Sequence, residues 1–199
     1  MTPQQSAGVA DLLTRSLRAA EFAAVLLRLP EMGESGRFEH IRAVRPHVQE
    51  KGVALLLEGH AELAARAGAD GAHLDGVEAL KAALPCLKPD RIAGCGRLPS
   101  RHDAMVAGEL GADYVMFGEP DDSGWRPSLD AILERVAWWA ELFELPCVGF
   151  AAALDEVEPL ARAGADFVAL GDFVFSDHRG CGAAVAEVAR RAANAEAPA

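Results

Sequence analysis

Apolar positions along this chain follow two patterns in turn. Stretches where they recur every three or four residues, such as Val9, Leu12, Leu13 and Leu17, give way to short, nearly unbroken apolar runs, the first being Phe22 to Leu29, interrupted only by Arg28. The first spacing marks one face of a helix, and a short continuous run marks a strand buried on both sides. The pattern predicts helices over Val9–Ala20, Phe38–Lys51, Ala61–Ala67, Val77–Leu84, Arg101–Leu110 and Leu154–Ala163, one from Ser128 or Asp130 to about Leu145, and a last one over Ala183–Ala193. Pro46 lies inside the second helix, and Ser100 is suited to cap the fifth. The intervening strands are Phe22–Leu29, Val53–Leu57, Gly71–Leu74, Arg91–Cys95, Tyr114–Phe117, Pro146–Phe150 and Phe167–Leu170.

One unit occurs three times, at Ala65–Gly76, Gly108–Glu119 and Ala161–Asp172. Each copy has helix formers, a Gly suited to the left-handed position that ends a helix, then Ala-Asp, an apolar run, and a Gly with an acid nearby. A helix feeding a buried strand, repeated, is the signature of an α/β fold with parallel strands, here a TIM (βα) barrel. Seven strands are visible, one short of closure. The missing strand belongs before the first helix, where residues 1–8 are polar and loose, so the barrel is either open there or a shortened form of a longer one. An open edge needs cover, from the N-terminal segment or a partner.

With 199 residues, 51% of them hydrophobic, the chain suits one domain over 1–199. A net charge of −11 disfavours nucleic acid and anionic membrane surfaces as partners. Cys86, Cys95, Cys147 and Cys181 are too scattered for a zinc knuckle or a disulfide scaffold. No basic leader and no apolar run of about 20 residues is present, so a cytoplasmic location is expected.

The strand ends carry the candidate chemistry. Arg28 suits a bidentate grip on phosphate or carboxylate, or an ion pair with Glu58 or Asp75. Glu58, His60, His73, Asp75 and Glu78 form the densest group of potential ligands and acid/base groups, His73 also reading as a hydrogen-bonded core histidine and His60 as a first-turn residue. Glu119 reads either as an acid/base group with a raised pKa or as an exposed loop carboxylate. Asp172 and Arg179 flank a glycine-rich lead into the last helix, and Trp138 with Trp139 reads as packing or a homodimer contact.

Leu-Leu-Arg at 26–28, Gly-Ala-Asp-Gly-Ala-His-Leu at 68–74, Gly-Ala-Asp-Tyr-Val-Met-Phe-Gly at 111–118 and Gly-Ala-Asp-Phe-Val-Ala-Leu at 164–170 resemble the thiamine phosphate synthase family, which includes thiazole tautomerases. The resemblance implies coupling of hydroxymethylpyrimidine diphosphate to thiazole phosphate with loss of magnesium-bound pyrophosphate. It implies Arg28 on the diphosphate, and Glu58, Asp75 and Glu78 as carboxylates for Mg2+. Gly96, Arg97, Ala151, Ala152, Gly171 and Asp172 would surround a small phosphorylated molecule, and Glu119 or His60 would act as acid or base in a tautomerase-like reaction. This chain departs from the family pattern after Arg28, where Leu29-Pro30 replaces an acid and a lysine. Glu58-Gly59-His60 stands for Asn-Asp-Asp, and Ala151-Ala152 for paired glycines. These departures imply a non-catalytic binding homologue as the rival reading.

Overall fold

A computed structural model describes residues 8–196 of the chain. The expected loose N-terminal segment lies, but for Gly8, outside the described residues. The strands are β1 (Ala24–Leu27), β2 (Ala54–Glu58), β3 (Gly71–Asp75), β4 (Ile92–Gly96), β5 (Tyr114–Phe117), β6 (Cys147–Ala151) and β7 (Phe167–Leu170). They form one parallel sheet in sequence order. The helices are α1 (Val9–Ser16), α2 (Glu34–Gln49), α3 (Ala61–Ala67), α4 (Gly76–Leu87), α5 (Arg101–Leu110), α6 (Leu129–Leu142), α7 (Val157–Arg162) and α8 (Cys181–Glu196).

Side chains alternate in direction along each strand. Leu27, Leu55 and Leu57 join the outer core under the helices, whereas Leu26, Leu56, Met116, Val148 and Phe150 form a second cluster inside. Residues of β1 and β6 share that inner cluster only because the sheet curls, giving a half-barrel of the TIM type. Each fully buried Leu contributes about 2 kcal/mol. Along the seam between β1 and β7, Leu13 and Ser16 of α1, Leu17 just after it and Val185 of α8 line a cavity of about 50 Å³. The first and last helices therefore flank the open side.

The repeated unit has a physical account. Gly68, Gly111 and Gly164 take φ values of 73°, 98° and 96°, and the next residue's amide reaches back to Ala64, Ala107 and Leu160 respectively, closing each helix. The following aspartates then act alike. Asp70 accepts from the Leu55 amide (2.7 Å), Asp113 from Ala93 (2.7 Å) and Asp166 from Cys147 (2.8 Å). Each carboxylate ties its own strand to the start of the preceding one.

Several boundaries differ from expectation. The second helix begins at Glu34, before the expected Phe38, because Gly36 in the first turn costs only about 1 kcal/mol and Ile41, Val44 and Val48 are buried along the helix. The fourth continues through Pro85 to bury Leu87. The segment expected as one helix over Leu154–Ala163 opens with a 3-10 turn at Leu154–Glu156. Trp139 is buried against Phe117 and Phe143, and Trp138 lies partly buried under Arg101, whose guanidinium is 4.8 Å from its ring. Both indoles pack within the chain.

Candidate functional site

The register across the sheet builds the site. Glu58 pairs with His73, His73 with Gly94 and Gly94 with Tyr114, so these four stand in one row across β2 to β5. Gly94 supplies no side chain, and a Cβ there would overlap the Tyr114 ring. Tyr114 leans into that space, stacks on His73 with centroids 5.6 Å apart, and places its hydroxyl 2.9 Å from Nδ1. On the other side of the imidazole, Nε2 lies 2.7 Å from Glu119 Oε1. A Cβ on Gly96 would overlap both Glu119 Oε2 and the His73 ring. The glycine expected to approach phosphate thus makes room for Glu119.

Glu119 is buried, with its side chain 3% exposed, so the reading of an exposed loop carboxylate is corrected. Gly118, at φ 93°, turns the chain inward just after β5. The second Glu119 oxygen accepts from the Arg97 amide at 3.0 Å. Arg97 is the one non-glycine at positive φ among the described residues (49°), a conformation costing about 1 kcal/mol or more and held here by that carboxylate.

Burial alone would lower the His73 pKa, but the charge of Glu119 and the hydrogen bond to it prevail, so it is raised above the usual 6.5. Burial raises Tyr114, with Glu119 adding to the effect. Burial also raises Asp75 against the opposing pull of Arg97. The Cys95 thiol is pushed up to about 12 and Cys147 to about 11 by burial, so both behave as core residues.

Around this buried row the charged residues gather at the carboxyl rim. Arg28 Nε lies 3.1 Å from Glu58, and its Nη1 is 4.0 Å from Asp172, which is largely exposed. Arg97 Nη1 lies 3.2 Å from Asp75 and 2.6 Å from Asp122. Strand ends β1, β2, β3, β4 and β7 thereby contribute to two ionic clusters, with Glu119 linking the second to His73.

Other expected residues are not brought into these clusters. His60 occupies the N-cap position of α3 without a side-chain capping bond and lines a groove of about 690 Å³ together with Arg37, Glu34 and Arg66. Its pKa is lowered, by burial first and then by Arg37. Glu78 is exposed on the first turn of α4. The Ala152 amide donates to Glu156 at 2.8 Å, and the Gly171 amide to the Ala151 carbonyl at 2.9 Å. Arg179 is engaged by Asp177.

The sequence reading missed Tyr114, Asp122, Arg126 and Glu156. The parity of Tyr114 with His73 was a signal available for the first. Arg126 Nη1 lies 3.0 and 2.9 Å from the two Glu156 oxygens, across 30 residues of sequence that hold no motif.

Among the described residues, no three His, Cys, Asp or Glu side chains gather as a metal-binding group. Mg2+ that arrives with phosphate oxygens needs only one or two carboxylates, and Glu58 and Asp75, the last residues of the adjacent strands β2 and β3, are hard oxygen donors of the type it takes.

Parallel strands in sequence order, with charge gathered at their carboxyl ends, define a protein of the βα-barrel class. The chain belongs to the thiamine monophosphate synthase family, which it matches over residues 1–174. It is 39% identical over 184 residues to the thiamine-phosphate synthase of Rhodospirillum centenum, covering 91% of this chain and 89% of that one. Identity to the thiamine-phosphate synthase of Hyphomonas neptunium is 37% over 197 residues, covering 93% and 88%. Its fold is similar to thiamine phosphate pyrophosphorylase from Pyrococcus furiosus, with a TM-score of 0.79 at 19% identity over 94% of this chain and 91% of that one. A 3-hexulose-6-phosphate synthase follows at 0.72 and 13%, covering 96% of each chain. No helix among the described residues is long and apolar enough to cross a membrane.

Proposed function

We propose that this chain serves thiamine biosynthesis by binding a small phosphorylated molecule at the carboxyl rim of the half-barrel, the reaction being the family's coupling of hydroxymethylpyrimidine diphosphate to thiazole phosphate. The observation that carries the reading is the meeting of Arg28, Glu58 and Asp172 from three strand ends, beside Arg97, Asp75 and Glu119 from three others. Arg28 orients the diphosphate, and Arg97 supplies a second cation. Glu58 and Asp75 are the carboxylates that would hold Mg2+. Bound there, the ion would neutralise charge on the departing pyrophosphate.

Glu119, with both oxygens engaged, fixes the Arg97 backbone and the His73 ring, so its role is positioning. That arrangement weighs against a tautomerase-like proton transfer by Glu119. His60 in its lateral groove is likewise not part of the proposed chemistry.

A second reading, a binding protein without catalysis, is favoured by Pro30, which offers neither charge nor donor close behind Arg28. Pyrophosphate release with both substrates and Mg2+ separates the two readings. Turnover that Arg28→Ala lowers at least tenfold supports the synthase. Calorimetric binding of thiamine phosphate without turnover supports the second reading, and absence of both overturns the rim as a site.

A further inference from the structure

The groove lined by His60 lies between α2, α3 and α4 and takes no part in the chemistry at the rim. Helix α3 has seven residues, against sixteen in α2 and twelve in α4. It therefore spans about 10 Å where its neighbours span about 24 and 18 Å, and part of the space between them stays unfilled. Ala79, Ala82 and Ala83 of α4 add little bulk to that wall, and Leu63 and Leu74 extend the apolar lining. The volume of about 690 Å³ falls within the range of small-molecule sites, about 300 to 1,000 Å³.

Charge around the groove is unevenly satisfied. Glu34 and Arg66 pair with each other, and both are largely exposed. Arg37, one turn beyond Glu34 on α2, lines the same groove and has no acidic partner among the described residues. Its Nε is buried without a hydrogen-bond acceptor, a state that costs free energy until an acceptor is supplied. Arg37 also stands close enough to His60 for its charge to be felt at the ring, so the two side chains share one part of the groove.

We propose that this groove is a second ligand site, taking a small monocarboxylic acid whose carboxylate meets Arg37 and whose apolar body lies against Leu63, Ala79, Ala82 and Ala83. The site is separate from the rim and stands whether or not the rim reading holds. A carboxylate presents two oxygens in one plane and takes the Nε–Nη edge of a guanidinium in a bidentate grip once the Arg37 side chain turns toward it. One unpaired cation matches one negative charge. Since Arg66 is engaged by Glu34, the second charge of a phosphate ester would face Glu62, another acid of the lining, without compensation. The apolar body adds affinity in proportion to the area it removes from water.

The test is calorimetry with 3-phenylpropanoate and its neutral amide, 3-phenylpropanamide, on the full chain and on the variants Arg37→Gln and Ala82→Leu, with the His60 ring resonances followed by NMR. Ala82 is exposed on α4, so a leucine there narrows the groove without entering the core. The acid binds wild type at one site and shifts the His60 resonances, and saturating pyrophosphate does not displace it. The amide binds about tenfold more weakly or less, as expected when a charge-assisted pair is lost. Arg37→Gln weakens the acid by a similar factor, and Ala82→Leu, which keeps the charge and fills the space, also lowers its affinity about tenfold. Equal affinity for acid and amide, or full affinity in either folded variant, overturns the proposal. Displacement by pyrophosphate, unmoved His60 resonances, or no binding by wild type shown folded by circular dichroism overturns it as well.

Discussion

At the amino ends of the strands three aspartates do the same work: Asp70, Asp113 and Asp166 each accept a backbone amide from the neighbouring strand. At the carboxyl ends the charged residues instead pair with one another across strand ends. Arg28 pairs with Glu58 and approaches Asp172, Arg97 bridges Asp75 and Asp122, Glu119 is buried against His73, and Glu156 is clamped by Arg126. The repeat that first draws the eye in the sequence therefore serves the scaffold. The proposed site lies at the opposite face, where the copies diverge.

The difference is testable by the size of the response at each end. The largest effect is expected between the two faces, at Gly94→Ala, where the new methyl group overlaps the Tyr114 ring. Overpacking there should cost about 3 kcal/mol in urea unfolding and detach Tyr114 from His73. An unchanged midpoint would mean that the row has slack. Next comes Asp166→Ala, which leaves the Cys147 amide unpaired at the scaffold face. A loss of about 2 kcal/mol is expected, with ligand affinity of the folded fraction unchanged.

The His73–Glu119 pair lies between the two regimes and is read by pH. Because the folded-state pKa of His73 is raised, the folded form binds its proton more tightly than the unfolded chain does. The stabilisation is complete below the unfolded value near 6.5 and is lost as pH rises through the folded value. Unfolding midpoints should fall on going from about pH 6 to pH 9, and His73→Gln should flatten that slope. The smallest stability effect belongs to the rim itself. Arg28→Ala should cost about 1 kcal/mol or less, because its ion pairs are partly solvated, while lowering ligand affinity about tenfold. A stability loss as large as that of Asp166→Ala would erase the distinction between the two faces.

Legibility followed the range of the interactions. All seven strands were readable as apolar runs, and the three helix-ending glycines were readable from their place before Ala-Asp. The ion pair of Arg28 with Glu58 was also foreseeable, since both close adjacent parallel strands. Glu119 was misjudged because it follows a strand and opens a polar loop, a context that ordinarily means exposure. The turn at Gly118 and the space left by Gly96 reversed that outcome. His60 and Glu78 were grouped with the rim by nearness in sequence, but each sits on or next to a helix that carries it to the side of the rim clusters.

The sequence alone determined the succession of helices and buried strands, the parallel order and the end of the sheet at which charge collects. Those follow from periodicity, capping and backbone hydrogen bonding, which act over a few residues or repeat from strand to strand. Tertiary structure decided which charges meet. The Tyr114–His73–Glu119 contacts and the Arg126–Glu156 clamp span 41, 46 and 30 residues, and they exist because register aligns particular strands and glycines leave particular spaces. A side chain's partner across a sheet depends on the strand beside it, and no local pattern encodes that choice.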